Sequence, residues 1–144
     1  MRAAILALLF ASPALADGLH VGEGWMAATE GQVARAFVEI HNEGDAPVIL
    51  HAFRADWADA ALVGAPVKAD GRDVPLDDYM LLPGEELDME PEGVFIRLTD
   101  LTVPLAEGTE ADVTLILSTG TEIAITIQVE GENAETESHA GHDH

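Results

Sequence analysis

Residues 111–129 read ADVTLILSTGTEIAITIQV. Val113, Leu115 and Leu117 alternate with Thr114, Ile116 and Ser118. Beyond Thr119-Gly120-Thr121, the residues Ile123, Ile125, Ile127 and Val129 alternate with Ala124, Thr126 and Gln128. Successive side chains of a strand point to opposite faces, so a period of two describes a strand with one buried face. β-Branched residues suit that pleated surface, and glycine between the two runs supplies a reversal. The stretch predicts a β-hairpin.

Working outward, the same alternation recurs upstream. In Ala34 to His41 (ARAFVEIH), Ala34, Ala36, Val38 and Ile40 share one face and Arg35, Phe37, Glu39 and His41 the other. Asn42-Glu43-Gly44-Asp45 reads as a turn, and Val48 to Phe53 returns from it. Ala60 to Val67 is apolar and ends in the turn-forming Lys68-Ala69-Asp70-Gly71-Arg72-Asp73. Leu82-Pro83-Gly84-Glu85 and Pro91-Glu92-Gly93 punctuate two further segments. Only Trp57 to Leu62 (WADAAL) has the composition of a helical turn. Many short strands without a long helical period predict an all-β domain, a sandwich or a Greek-key barrel.

The chain opens with Arg2, an apolar run from Ala3 to Ala11, and Ser12-Pro13-Ala14-Leu15-Ala16. A basic residue, a short apolar core and small residues at the end are the pattern of a secretory signal peptide cleaved after Ala16. The apolar run is too short to span a bilayer, which takes about 20 residues. The expected organisation is a signal peptide over 1–16, one domain over 17–129 and a tail over 130–144. The expected destination is a bacterial periplasm or the cell exterior, with no membrane insertion once the leader is gone.

Charge and cysteine usage narrow the function. The 144 residues hold 27 Asp+Glu against 6 Lys+Arg, a net charge of −21. Nucleic acid and anionic lipid are repelled by such a surface, whereas cations and basic proteins are attracted. With no cysteine, the chain has no disulfide, thiolate metal site or Cys nucleophile. It contains no G-x-S-x-G, no H-E-x-x-H and no phosphate-cradling glycine loop. The sequence therefore predicts a protein that is not an enzyme.

From Glu130 the composition changes to Glu, Gly, Asn, Ala, Thr and Ser, which cannot bury enough apolar surface to order itself. This predicts a disordered tail, ending in His139-Ala140-Gly141-His142-Asp143-His144. Three imidazoles within six residues suit copper, zinc or nickel, and a flexible H-x-x-H-x-H can wrap an ion without a preformed cage. His139, His142 and His144 are the candidate metal ligands. Affinity should be modest, because binding must order the tail. His20, His41 and His51 are scattered along the sequence and read singly as structural or surface histidines. Met26, Met80 and Met89 read as packing residues.

Trp25, Ala34 to His41 with Asn42-Glu43-Gly44-Asp45, Leu82-Pro83-Gly84-Glu85-Glu86-Leu87, Pro91-Glu92-Gly93 and Leu101-Thr102-Val103-Pro104-Leu105-Ala106-Glu107-Gly108 together resemble the periplasmic copper chaperones of the PCuAC type. The resemblance runs from about Leu19 to Val129. It implies a cupredoxin-like Greek-key β-sandwich, binding of Cu(I) by two His and two Met in a surface cleft, and a role in copper delivery for cytochrome oxidase assembly. Several members of that family carry a His-rich C-terminal extension, as here. Where the family has H-x-M after a Pro-Gly-Gly turn, this chain has Phe95-Ile96-Arg97. The family's first His falls near Val63 and its first Met near Val74, so all four ligand positions are replaced. The expected function is a copper-chaperone-like protein that holds or passes copper through its tail, with copper-handling or oxidase-assembly proteins as partners. The alternative is a metal-independent interaction module that keeps the chaperone fold.

Overall fold

The computed structural model describes residues 14–16, 18–64 and 74–135. The hairpin is present: β12 (Glu110–Leu117) pairs antiparallel with β13 (Glu122–Glu130), with Leu115 opposite Ile123 and Val113 opposite Ile125. Val113, Leu115, Ile123, Ile125, Ile127 and Val129 are all buried, as the alternation requires.

Eleven other strands surround it. In chain order they are β1 (Ala14–Ala16), β2 (Leu19–Val21), β3 (Gly24–Ala27), β4 (Val33–Phe37), β5 (Glu39–Asn42) and β6 (Val48–Arg54), followed by β7 (Asp59–Gly64), β8 (Val74–Pro75), β9 (Tyr79–Leu81), β10 (Glu86–Asp88) and β11 (Val94–Thr99). A four-stranded sheet has the order β1-β2-β5-β10, and a nine-stranded sheet the order β8-β7-β11-β4-β3-β13-β12-β6-β9. No helix occurs among the described residues, and none is long and apolar enough to cross a membrane. One core joins both sheets, with Leu19, Ile40 and Leu87 from the smaller meeting Met26, Ala36, Leu50, Ile96, Leu115 and Ile125 from the larger.

The run Ala34 to His41 is two strands rather than one. Ala34, Ala36, Val38 and Ile40 are buried as the alternation requires, but so is Phe37: β4 belongs to the large sheet and β5 to the small one, and the chain changes sheets at Val38. Such a switch closes the corner of a sandwich. Likewise, Val48 to Phe53 does not fold back on β5. Strand β6 lies between β12 and β9 in the other sheet. The Trp57–Leu62 segment is not helical. Ala55 bridges Ala58 across a tight turn, and β7 pairs with β11 from Asp59 to Gly64. Six residues of sheet pairing outweigh the modest helix preference of Ala and Leu.

Asn42 fastens the two sheets together. It is fully buried, and its Nδ2 donates to the carbonyls of Ala46 and Leu81, both at 2.9 Å, while its Oδ1 accepts from Gly44 N at 3.0 Å. Across from it, Leu82-Pro83-Gly84-Glu85 forms a turn closed by Glu85 N donating to Leu82 O. Gly84 has φ +83°, which suits proline then glycine at the centre of a type II turn.

The C-terminal boundary lies later than composition suggests. Glu130 closes β13 and accepts a hydrogen bond from Ala28 N, Ala134 is buried, and Glu135 pairs with Arg35. Parallel pairing of β13 with β3 ends at Glu130, and the residues beyond it turn back on the domain, with Ala134 N donating to Gly131 O.

Candidate functional site

The four positions that the resemblance assigns to copper ligands lie on adjoining strands. Val63 on β7 is opposite Phe95 on β11, Arg97 follows two residues later on the same face, and Val74 on β8 is opposite Gly64. What fills this place is an aromatic and guanidinium cluster. Trp25 stacks on Phe37 at 4.5 Å between centroids, and Phe37 meets Phe95 at 6.0 Å. Arg35, opposite Arg97 in the ladder, places its guanidinium 5.1 Å from the Phe95 centroid and 6.0 Å from that of Phe37. Its Nη1 donates to Pro91 O at 3.4 Å, and its Nη2 is bound to Glu135. Val63, Phe37 and Phe95 are buried. The side chains gathered here are aromatic, aliphatic and guanidinium groups, with no thioether or imidazole among them.

The predicted ligands His139, His142 and His144 lie outside the described residues. The three remaining histidines are not equally isolated. His51 sits on the outer surface of β6, with Nδ1 2.6 Å from Asp78 Oδ1. His20 and His41, 21 positions apart in the sequence numbering, are directly opposite each other on β2 and β5, and Glu86 on β10 is opposite His41 on the other side. Sequence reading missed this row because strand register, not spacing, creates it. Glu39 and Asp88 form the next outward pair on β5 and β10. The Glu39 carboxyl is held above its ordinary value, first by partial burial and then by Glu86 and Asp88 beside it, with His20 acting in the opposite direction. Among the described residues, no three His or carboxylate side chains already converge as a cation cage.

Of the methionines, Met26 and Met89 are core residues as expected. Met80 is not: it is 51 % exposed on the edge strand β9, opposite Ile49.

The LpqE-like family model, named for a lipoprotein, matches residues 19–129. No curated protein matches the chain. Among solved structures, the apo PCuAC domain from PmoF1 is similar over 79% of this chain and 94% of its own, at 24% identity and TM-score 0.67. The copper-bound PCuAC domain from PmoF2 is similar over 82% and 96%, at 22% identity and TM-score 0.66. CuI-DR1885 from Deinococcus radiodurans covers 78% of each chain, at 21% identity and TM-score 0.61. The fold of this chain is that of the copper-chaperone-like PCuAC domains, a cupredoxin-like β-sandwich.

Proposed function

From membership of the LpqE-like family, to which this chain belongs, we propose that it is an exported, non-enzymatic copper-handling protein that captures copper through His139, His142 and His144. One observation carries this reading. The sandwich of the copper-binding domains is retained, while the positions that the resemblance assigns to their ligands are Val63, Val74, Phe95 and Arg97, with the Arg35 guanidinium over the Phe95 ring. A metal ion approaching this cluster meets fixed positive charge and buried aromatic rings. The tail imidazoles are donors suited to copper, joined to a body whose acidity raises the local cation concentration.

Export is supported by the leader pattern of residues 1–16 and by a family named for a lipoprotein. A thioether-linked lipid needs a cysteine, and none of the 144 residues is one. Cleavage after Ala16 removes β1 with the leader and opens the outer edge of β2.

The test is titration with Cu(I) and Cu(II) of the protein and of a variant carrying His139→Ala, His142→Ala and His144→Ala. Loss of a metal equivalent in the variant is the expected result. Equal binding by both proteins overturns the assignment to the tail. Absence of binding by either turns the reading toward a metal-independent interaction module.

A further inference from the structure

We propose that the outward face of the four-stranded sheet is a second metal site, in which His20, His41 and Glu86 bind a divalent transition-metal ion, Cu(II) in preference to others. This site is distinct from the tail and from the cluster of Arg35 and Phe95.

The argument begins with register. His20, His41 and Glu86 occupy one row across β2, β5 and β10, each directly opposite the next. Directly opposite residues of antiparallel strands have Cβ atoms about 4.5–5.5 Å apart. Two imidazoles on such a pair can both reach one ion at about 2.0–2.1 Å, and the carboxylate in the row supplies a third donor. The side chains alternate with Leu19, Val21, Ile40 and Leu87, all buried, so the core fixes which face the three donors occupy. As placed, the three side chains do not converge, and ligation requires them to turn toward one another.

The surroundings favour a cation. Glu39 and Asp88 form the neighbouring outward pair. Glu23 joins them around an adjoining hollow that Trp25 and Phe37 also line. Glu39 and Glu86 are close enough to share a hydrogen bond. Crowded carboxylates gain from a positive ion in their midst. On the far side, Glu43 Oε2 lies 3.3 Å from His41 Nδ1. A carboxylate on one ring nitrogen orients the imidazole and leaves the other nitrogen for metal. The donor set is nitrogen and oxygen without sulfur, which suits divalent copper or zinc over Cu(I), and divalent copper binds such sets most tightly.

The experiment uses the full chain with His139→Ala, His142→Ala and His144→Ala, so that tail binding cannot contribute. Cu(II) is added and followed by calorimetry and electron paramagnetic resonance, with circular dichroism as a check on folding. The expected result is a bound Cu(II) with imidazole nitrogen coupling, weakened at least about tenfold by either His20→Ala or His41→Ala. His51→Ala should leave it unchanged. Absence of Cu(II) binding in this background overturns the site, as does binding that His20→Ala and His41→Ala leave unaltered. The tail assignment is read separately, from the difference between the natural chain and the tail variant, so either proposal can fail without the other.

Discussion

Arg35 holds its guanidinium 5.1 Å from the centre of the Phe95 ring and is bound at its other end to Glu135. A residue near the beginning of the domain, a strand from its middle and the last described residue are thereby tied at one point. A cation–π contact at a partly exposed site contributes about 0.5–1 kcal/mol, and a hydrogen bond to a charged group somewhat more. Arg35→Ala should therefore destabilise the domain by about 1–2 kcal/mol. The expected observation is a lower urea midpoint with an unchanged slope. Arg35→Lys should recover only part of the loss, because an ammonium cannot span the ring, Pro91 and Glu135 as a planar guanidinium does.

Asn42 provides a sharper case, since it is buried and satisfies three backbone groups. Asn42→Ala leaves the carbonyls of Ala46 and Leu81 without their donor and should cost about 2–3 kcal/mol in denaturant unfolding. Asn42→Asp presents oxygen to those carbonyls instead. Its carboxyl would be held protonated in the folded state, so its stability should fall as pH rises through that raised value. A melting-temperature series against pH checks the direction.

Gly24 stands where β3 runs parallel to β13. A Cβ there would come within 2.5 Å of Ile127 Cδ1, 2.8 Å of Val38 Cγ2 and 3.1 Å of Phe37 O. The two methyl groups belong to the packed core, so they cannot simply rotate into solvent. Gly24→Ala is expected to destabilise by about 1–3 kcal/mol through overpacking, measurable as a lowered thermal midpoint.

Glu39 makes the opposite prediction. Its carboxyl titrates above the ordinary 4.5 because of burial and the adjacent Glu86 and Asp88. A raised folded-state value means that stability from this group is full below the unfolded value and is lost as pH rises through the folded one. Glu39→Gln should therefore stabilise the protein at neutral pH, by no more than about 0.5 kcal/mol at so exposed a position. The advantage should shrink as pH falls below 4.5. Paired thermal melts at the two pH values measure it.

The hairpin of residues 110–130 was legible in the sequence because its strands are neighbours along the chain and each carries its own period of two. The same is true of the turn at Gly84, whose chemistry is complete within four residues. Acidity, the lack of cysteine and the leader pattern are properties of composition and order alone. The limit appears at Val38, where nothing in ARAFVEIH tells one long strand from two strands in different sheets. It appears again at Ala134 and Glu135, in polar-rich sequence, where the first is nonetheless buried and the second is bound by Arg35.

The candidate sites divide in the same way. His139, His142 and His144 could be named from sequence because they are close along the chain. His20 and His41 could not, because their adjacency depends on β2 and β5 pairing in one register, and a slip of one residue would turn one of them toward the core. The sequence alone determined what each strand can bury and what charge the surface carries, since alternation and composition are local. Only the tertiary structure decided which strands meet, and therefore which imidazoles face each other and which arginine covers Phe95. Pairing energy is shared between segments distant in the chain, and no single segment records its partner.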